Sequence, residues 1–280
     1  MAVGTRDRTQ LQYVPGMSIY ADLFRYRELF GNLFRRDLRA KYKGSVLGLL
    51  WSVANPIALM GVYFLVFAVL WKRQPIVHYG LYLLAGLTAW IFFATSLQTA
   101  ARSMIDMAEL IKKVRFPRQL VAFSVVATQL VTFAVMLAIL IVVALVTVPD
   151  ARGTVWLSIP LAALFFGLTL GVALLVASLN VIFRDVEHLL AAILLPWFFL
   201  TPILYSFESI DAFGRHHTIT EVLRWGNFVT PPVYALRATI WEGRLPRAGD
   251  VVYLAVAAAV ALVLGALAFS RVDDRIAVEL

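Results

Sequence analysis

The chain has 280 residues, 61% of them hydrophobic and 15% charged, with a formal net charge of +8 and no cysteine. Soluble domains run nearer to about half apolar and a quarter charged, and no aqueous core of this length hides the surplus, so a bilayer is the expected solvent. The lack of thiols excludes disulfides, thiolate metal sites and a cysteine nucleophile, and the positive charge reads as cations held on one membrane face, with no nucleic acid as partner.

Residues 1–18 are polar, carry Pro15 and Gly16, and read as a flexible tail; residues 1–45 lack the apolar stretch of a cleavable signal peptide. An amphipathic helix is expected over 19–45. Ile19, Leu23, Tyr26, Phe30, Leu33 and Phe34 share one face, and Arg25, Glu28, Arg35, Arg36 and Arg39 the other. Such a helix lies along the membrane interface with its cations at the headgroups.

Residues 46–270 read as a membrane domain, with spans expected at 46–71, 79–101, 120–148, 155–182, 189–205 and 251–269. Pro56 bends the first, and Pro196 and Pro202 interrupt the fifth. Residues 271–280 read as a polar C-terminal tail. Between spans two and three, Ile111-Lys112-Lys113-Val114-Arg115-Phe116-Pro117-Arg118 puts four cations in eight residues. Hydrocarbon does not tolerate that density. The stretch 105–118 is the size of one short helix on the membrane face, pressing on something outside the bilayer.

Residues 221–241 are half-apolar and too short to cross twice. Trp225, Pro231, Pro232, Tyr234 and Trp241 lie here, and the Pro-Pro break between two short pieces predicts a re-entrant hairpin. Irregular backbone at that depth must be covered by protein or line a passage. Six spans put both termini on one side. That side holds 17 Lys and Arg against 8 on the other, so both termini and the basic stretch are predicted to be cytoplasmic.

No Gly-x-x-x-x-Gly-Lys-Ser/Thr loop occurs, so neither ATP nor another cofactor is expected in this chain. The four histidines have no ligand spacing, and His216-His217 reads as a solvated pair. Asp185, Glu187 and His188 gather at one span end, too few acids to support a membrane-embedded transferase; no catalytic or metal site is predicted. The spans hold almost no ionisable residue, so ion coupling has no carrier and energy must come from outside the chain. Aromatics cluster on two spans: Trp51, Tyr63, Phe64 and Phe67 on the first, and Trp197, Phe198, Phe199 and Tyr205 on the fifth. Lipid anchoring and packing explain many such residues. A pore lined by them would also pass a glycan by weak, repeated contact.

The run from Leu33 to Pro56 resembles the opening of ABC-2-type permeases that export polysaccharides, among them O-antigen, teichoic acid and cell-wall glycan exporters. The motif falls on Arg36-Asp37-Leu38, on Tyr42-Lys43-Gly44-Ser45 and on Leu47-Gly48-Leu49-Leu50-Trp51. The 110–118 loop, Asn180-Val181-Ile182-Phe183-Arg184-Asp185 and Thr230-Pro231-Pro232 are similar to later family motifs in the right order.

The resemblance implies an all-helical subunit of six spans in a homodimer over two separate ATPase subunits, which hold ATP and Mg. It places the protein in a bacterial inner membrane. Residues 111–118 would seat in the ATPase as a coupling helix. Arg35, Arg36, Asp37, Arg39, Lys41, Tyr42 and Lys43 would belong to the cytoplasmic interface helix. Spans one and five would line the conduit, and the hairpins would cap it. The expected cargo is a lipid-linked polysaccharide of O-antigen, teichoic acid or galactan type. A drug or lipid exporter of the same superfamily is the alternative.

Overall fold

The computed structural model describes residues 26–44, 48, 50–70, 76–113, 116–207 and 217–279, and every regular element among them is helical. The expected tail 1–18, residues 19–25 of the interface helix, Ser45, Leu47, Val114 and Arg115 lie outside the described residues.

Helix α1 (Arg27–Tyr42) precedes α2 (Leu50–Phe64), which runs on as a π turn, Leu65–Leu70. Then come α3 (Tyr79–Asp106), α4 (Ala108–Lys113) and α5 (Gln119–Thr147). Two 3-10 turns, Pro149–Gly153 and Val155–Leu157, lead into α6 (Ser158–Ile182) and α7 (Val186–Leu200). Short α8 (His217–Glu221) continues as a π turn, Val222–Gly226. Helices α9 (Thr230–Ile240) and α10 (Ala248–Glu279) close the chain, so the helix runs on through residues read as a polar tail.

Among the described residues, five stretches are helical, long and apolar enough to cross a membrane: Val53–Leu70, Tyr79–Asp106, Gln119–Thr147, Val155–Ile182 and Ala248–Val272. The expected fifth span takes another form. Its helix α7 has only 15 residues, about 22 Å at 1.5 Å per residue, against a hydrocarbon core of about 30 Å. Pro202 cannot continue the helical ladder, and 201–205 follow as turns.

Helix α3 is the hub. Residues 81–90 are all buried, and its Phe92 stacks on Phe133 of α5 with ring centroids 4.6 Å apart. Phe165 of α6 joins this pair at 5.9 and 6.2 Å, so three spans meet in one aromatic cluster. Helices α6 and α10 pack with backbones touching. A methyl group at Gly171 would overlap the Ala261 carbonyl carbon, and one at Gly265 would overlap Gly171 O. Small residues at that crossing allow the close van der Waals packing that holds helices together in lipid. Helix α2 is the least covered; Pro56 is its one buried residue among those described.

Candidate functional site

One end of the bundle gathers the cations of α1, α4 and the α6–α7 turn. Helix α3 stops at Met107, and α4 follows as a single short helix. Ile111 and Phe116 are buried there, 5% and 6% exposed, whereas Lys112 and Lys113 are exposed. Pro117 is also buried and Arg118 half-buried. Lys113 pairs with Glu109 at 3.3 Å in water, a contact of small energetic worth. The stretch is thus pinned by apolar side chains and shows its two lysines outward.

The basic end is wired to the rest of the bundle by polar contacts. Asn180, fully buried, donates from Nδ2 to Ala101 O at 2.8 Å and accepts from the Glu187 backbone N–H at 3.0 Å. One amide therefore joins α3, α6 and the start of α7. Arg102 of α3 adds an ion pair to Glu187 at 3.2 Å. On the other flank, the Arg36 guanidinium pairs with Asp37 and reaches the Met107 sulfur, and Ser124 Oγ of α5 donates to Asp37 at 2.6 Å. Phe30 packs edge-on against Phe123, 5.1 Å between centroids. Arg35 and Arg39 lie beside Lys43 on the open side of α1.

Lys41, still exposed, reaches along α5. Its Nζ donates to Gln129 Oε1 at 2.6 Å and to Thr132 Oγ1 at 2.7 Å, and Tyr42 shares a 3.3 Å contact with Thr132. Desolvation draws the Lys41 pKa below the usual lysine value, and Tyr42 acts in the opposite sense. Here α1, α2, α3 and α5 enclose a cleft of 540 Å³.

At the opposite end, the backbone freed by Pro202 is capped by side chains. Arg237 of α9, 1% exposed, donates to Pro202 O, to Ile203 O at 2.7 Å and to Tyr82 O at 3.2 Å. Tyr79 donates to Leu204 O at 2.7 Å and Tyr82 to Tyr205 O at 2.6 Å. Four successive carbonyls thus find donors, as irregular backbone away from water requires. The Arg237 guanidinium lies 3.5 Å from the Tyr82 ring centroid, a cation–π contact. Gly86 makes room for it, since a methyl group there would overlap Nη2.

The expected hairpin residues fall around this clasp. Pro231 and Pro232 occupy the first turn of α9, where their missing N–H groups cost nothing. The break lies just before them, at 227–229. All of Thr230–Ile240 is buried except half-buried Tyr234. Trp241 Nε1 donates to Val77 O at 2.6 Å, and Trp225 packs on Tyr253 of α10 at 5.7 Å. Arg224 pairs with buried Asp250 at 3.2 Å.

The eight predicted aromatics divide. Phe198, 6% exposed, points into the chain and packs on Tyr63 at 5.9 Å and on Trp90 at 5.7 Å. Trp197 packs on Phe228 at 5.0 Å and donates to Asn227 Oδ1 at 2.9 Å. Tyr63, Phe67 and Tyr205 are half-buried. Trp51, Phe64 and Phe199 remain open, 59%, 41% and 51% exposed. Sequence reasoning counted Arg237 among loop cations and gave Asn180 no task of its own; a lone arginine inside the apolar run 233–240 was the available signal.

Long apolar helices around a buried hub, with a pinned basic helix at one end, define a multi-pass membrane permease. The chain belongs to the ABC-2 type transporter family, whose model matches residues 28–241. It is similar to the O-antigen export system permease protein RfbA of Myxococcus xanthus, 34% identical over 243 residues, 86% of this chain and 91% of that protein. It is also similar to the O-antigen export system permease protein RfbA of Klebsiella pneumoniae, 35% identical over 177 residues, 62% of this chain and 68% of that protein.

Proposed function

We propose that this chain is the membrane subunit of an ATP-driven exporter that moves a lipid-linked polysaccharide out of the bacterial cytoplasm across the inner membrane. The observation that carries the reading is the family match over 28–241 with relatives that bear one name, O-antigen export system permease. That name favours an O-antigen-like glycan over a teichoic acid, a galactan, or a drug or lipid cargo.

Two copies form the conduit over two ATPase subunits that bind ATP and Mg. The basic end and both termini face the cytoplasm, and α7 with 201–205 completes a sixth crossing. The seam between copies runs along α2 and α7. In its support, α2 is almost uncovered in one copy, and α7 exposes Leu189, Ile193, Leu195 and Phe199. Trp51, Phe64 and Phe199 offer the sugar rings flat apolar faces. The α8–α9 hairpin dips in from the outside and roofs the exit.

Force enters at α4. An ATPase cleft grips Lys112 and Lys113, and its closure tilts α3 at the Met107 break. Asn180 and the Arg102–Glu187 pair carry that tilt into α7, which moves the conduit wall. The test is Lys112→Glu with Lys113→Glu in the complex with its ATPase. The complex still assembles, and ATPase stimulation by glycan substrate falls about tenfold, the loss of roughly 1.4 kcal/mol of coupling. Unchanged stimulation refutes the role of α4, and absence of glycan export by the wild-type complex refutes the cargo.

A further inference from the structure

Helix α3 carries a polar stripe through an otherwise apolar span. Thr95, Gln98 and Thr99 follow Thr88 by seven, ten and eleven residues, which keeps the four on one helical face, and Arg102 continues the stripe into a neighbouring cavity. The four face the cleft enclosed by α1, α2 and α5. Opposite stand Gln129, Thr132 and the Lys41 amine. No carboxylate stands among the described residues lining this cleft, so Lys41 leaves it positive.

Three observations point to a ligand site. Thr88 is 3% exposed, lines the cleft, and its Oγ1 has no hydrogen-bond partner. A buried hydroxyl left so is destabilising, and a bound acceptor or donor relieves it. The cleft is also deep. Thr88 lies about 27 Å along α3 from Asp106, and Thr132 about 20 Å along α5 from Gln119. Finally, the cleft opens toward the basic end. A second cavity of 820 Å³ shares Lys41, Gln98, Thr99 and Gln129 with it and is rimmed by Arg36 and Arg102 together with Asp37, Asp106 and Glu187. Beside the first cleft runs the uncovered apolar surface of α2, with Trp51 at the threshold.

We propose that this cleft binds the phosphorylated, hydroxyl-bearing head group of a membrane lipid. A phosphate accepts from the Lys41 ammonium and the side-chain amides, hydroxyls of the head group reach Thr88 and Thr132, and the lipid chain lies on α2. A neutral apolar ligand leaves Thr88 unpaired, and a fully aqueous anion gains nothing from the apolar flank. Two lipids share this chemistry: a bulk anionic phospholipid and the lipid-linked glycan. The site stands without the export reading; only the second identity rests on it.

The experiment is native mass spectrometry of the purified full chain, titrated with phosphatidylglycerol and, separately, phosphatidylcholine. Phosphatidylglycerol is retained at least fivefold better, Lys41→Met lowers its retention about tenfold, and Thr88→Val lowers it three- to tenfold. Thr88→Val also serves as the folding control, because losing an unpaired hydroxyl leaves the lipid-free unfolding midpoint equal or higher. Competition with a lipid diphosphate oligosaccharide then separates the sources. Displacement of phosphatidylglycerol assigns the glycan carrier, and continued retention assigns the bulk lipid. Equal retention by wild type, Lys41→Met and Thr88→Val overturns the site, as does a Thr88→Val chain that unfolds several degrees earlier. Both results leave the export reading intact.

Discussion

Arg237→Met removes the clasp at the end of α7 while keeping the side chain long and apolar. Ile203 O then loses its donor, and Pro202 O keeps only the Tyr82 hydroxyl at 3.4 Å. Each stranded carbonyl costs about 1–3 kcal/mol. Part returns, because burying a guanidinium among carbonyls carries its own desolvation penalty, several kcal/mol for an ion. The net expectation is a loss of about 2–4 kcal/mol, read as an unfolding midpoint roughly 5–10 °C lower in detergent. Gly86→Ala supplies the control. In the wild-type chain its methyl group strikes the guanidinium and meets Ile203 Cγ2 at 3.2 Å, an overpacking expected to cost about 1–3 kcal/mol. In an Arg237→Ala background the methyl group enters vacated space, so its cost falls by half or more, a non-additivity that a double-mutant cycle measures. An Arg237→Met chain that melts with the wild type, or strictly additive effects of the two changes, refutes the clasp.

Asn180→Leu keeps the volume and strands the Glu187 N–H, while Ala101 O keeps its bond within α3; the chain is expected to lose about 1–3 kcal/mol, and, in the proposed complex with an ATPase subunit, export is expected to fall more than ATP turnover. Equal losses in both activities refute its place in the relay. Gly171→Val forces the α6 and α10 backbones apart, and a drop in folded yield beyond that of Gly167→Val, whose methyl group meets only side chains at 3.6 Å or more, is the expected result. Equal yields contradict the backbone contact.

The long spans were legible because lipid asks one simple thing of a helix, apolar length, and α3, α5, α6 and α10 state it in uninterrupted runs. The exposure of Lys112 and Lys113 was legible for the converse reason, since hydrocarbon does not tolerate clustered cations. The end of α7 was less so. Pro202 marks a break, but where its freed carbonyls find donors depends on Tyr79, Tyr82 and Arg237, which lie more than a hundred residues before it or over thirty after. The aromatic set was half legible: composition finds Trp197 and Phe198, and only packing tells that they look inward, away from Phe199. The stripe from Thr88 to Arg102 was readable as spacing, yet its meaning needed Lys41, delivered from another helix.

Glycines set into one another at the crossing of α6 and α10 leave no slack for sliding or tilt between those two rods. They form a frame, and with α3 and α5 sealed to α6 by the phenylalanine cluster the frame takes in most of the bundle. What can swing is what is hung on it lightly: α2, touched at few points, and α7, hinged between an asparagine at one end and an arginine at the other. In the proposed export cycle, work done on this molecule is therefore spent on two doors rather than on the house.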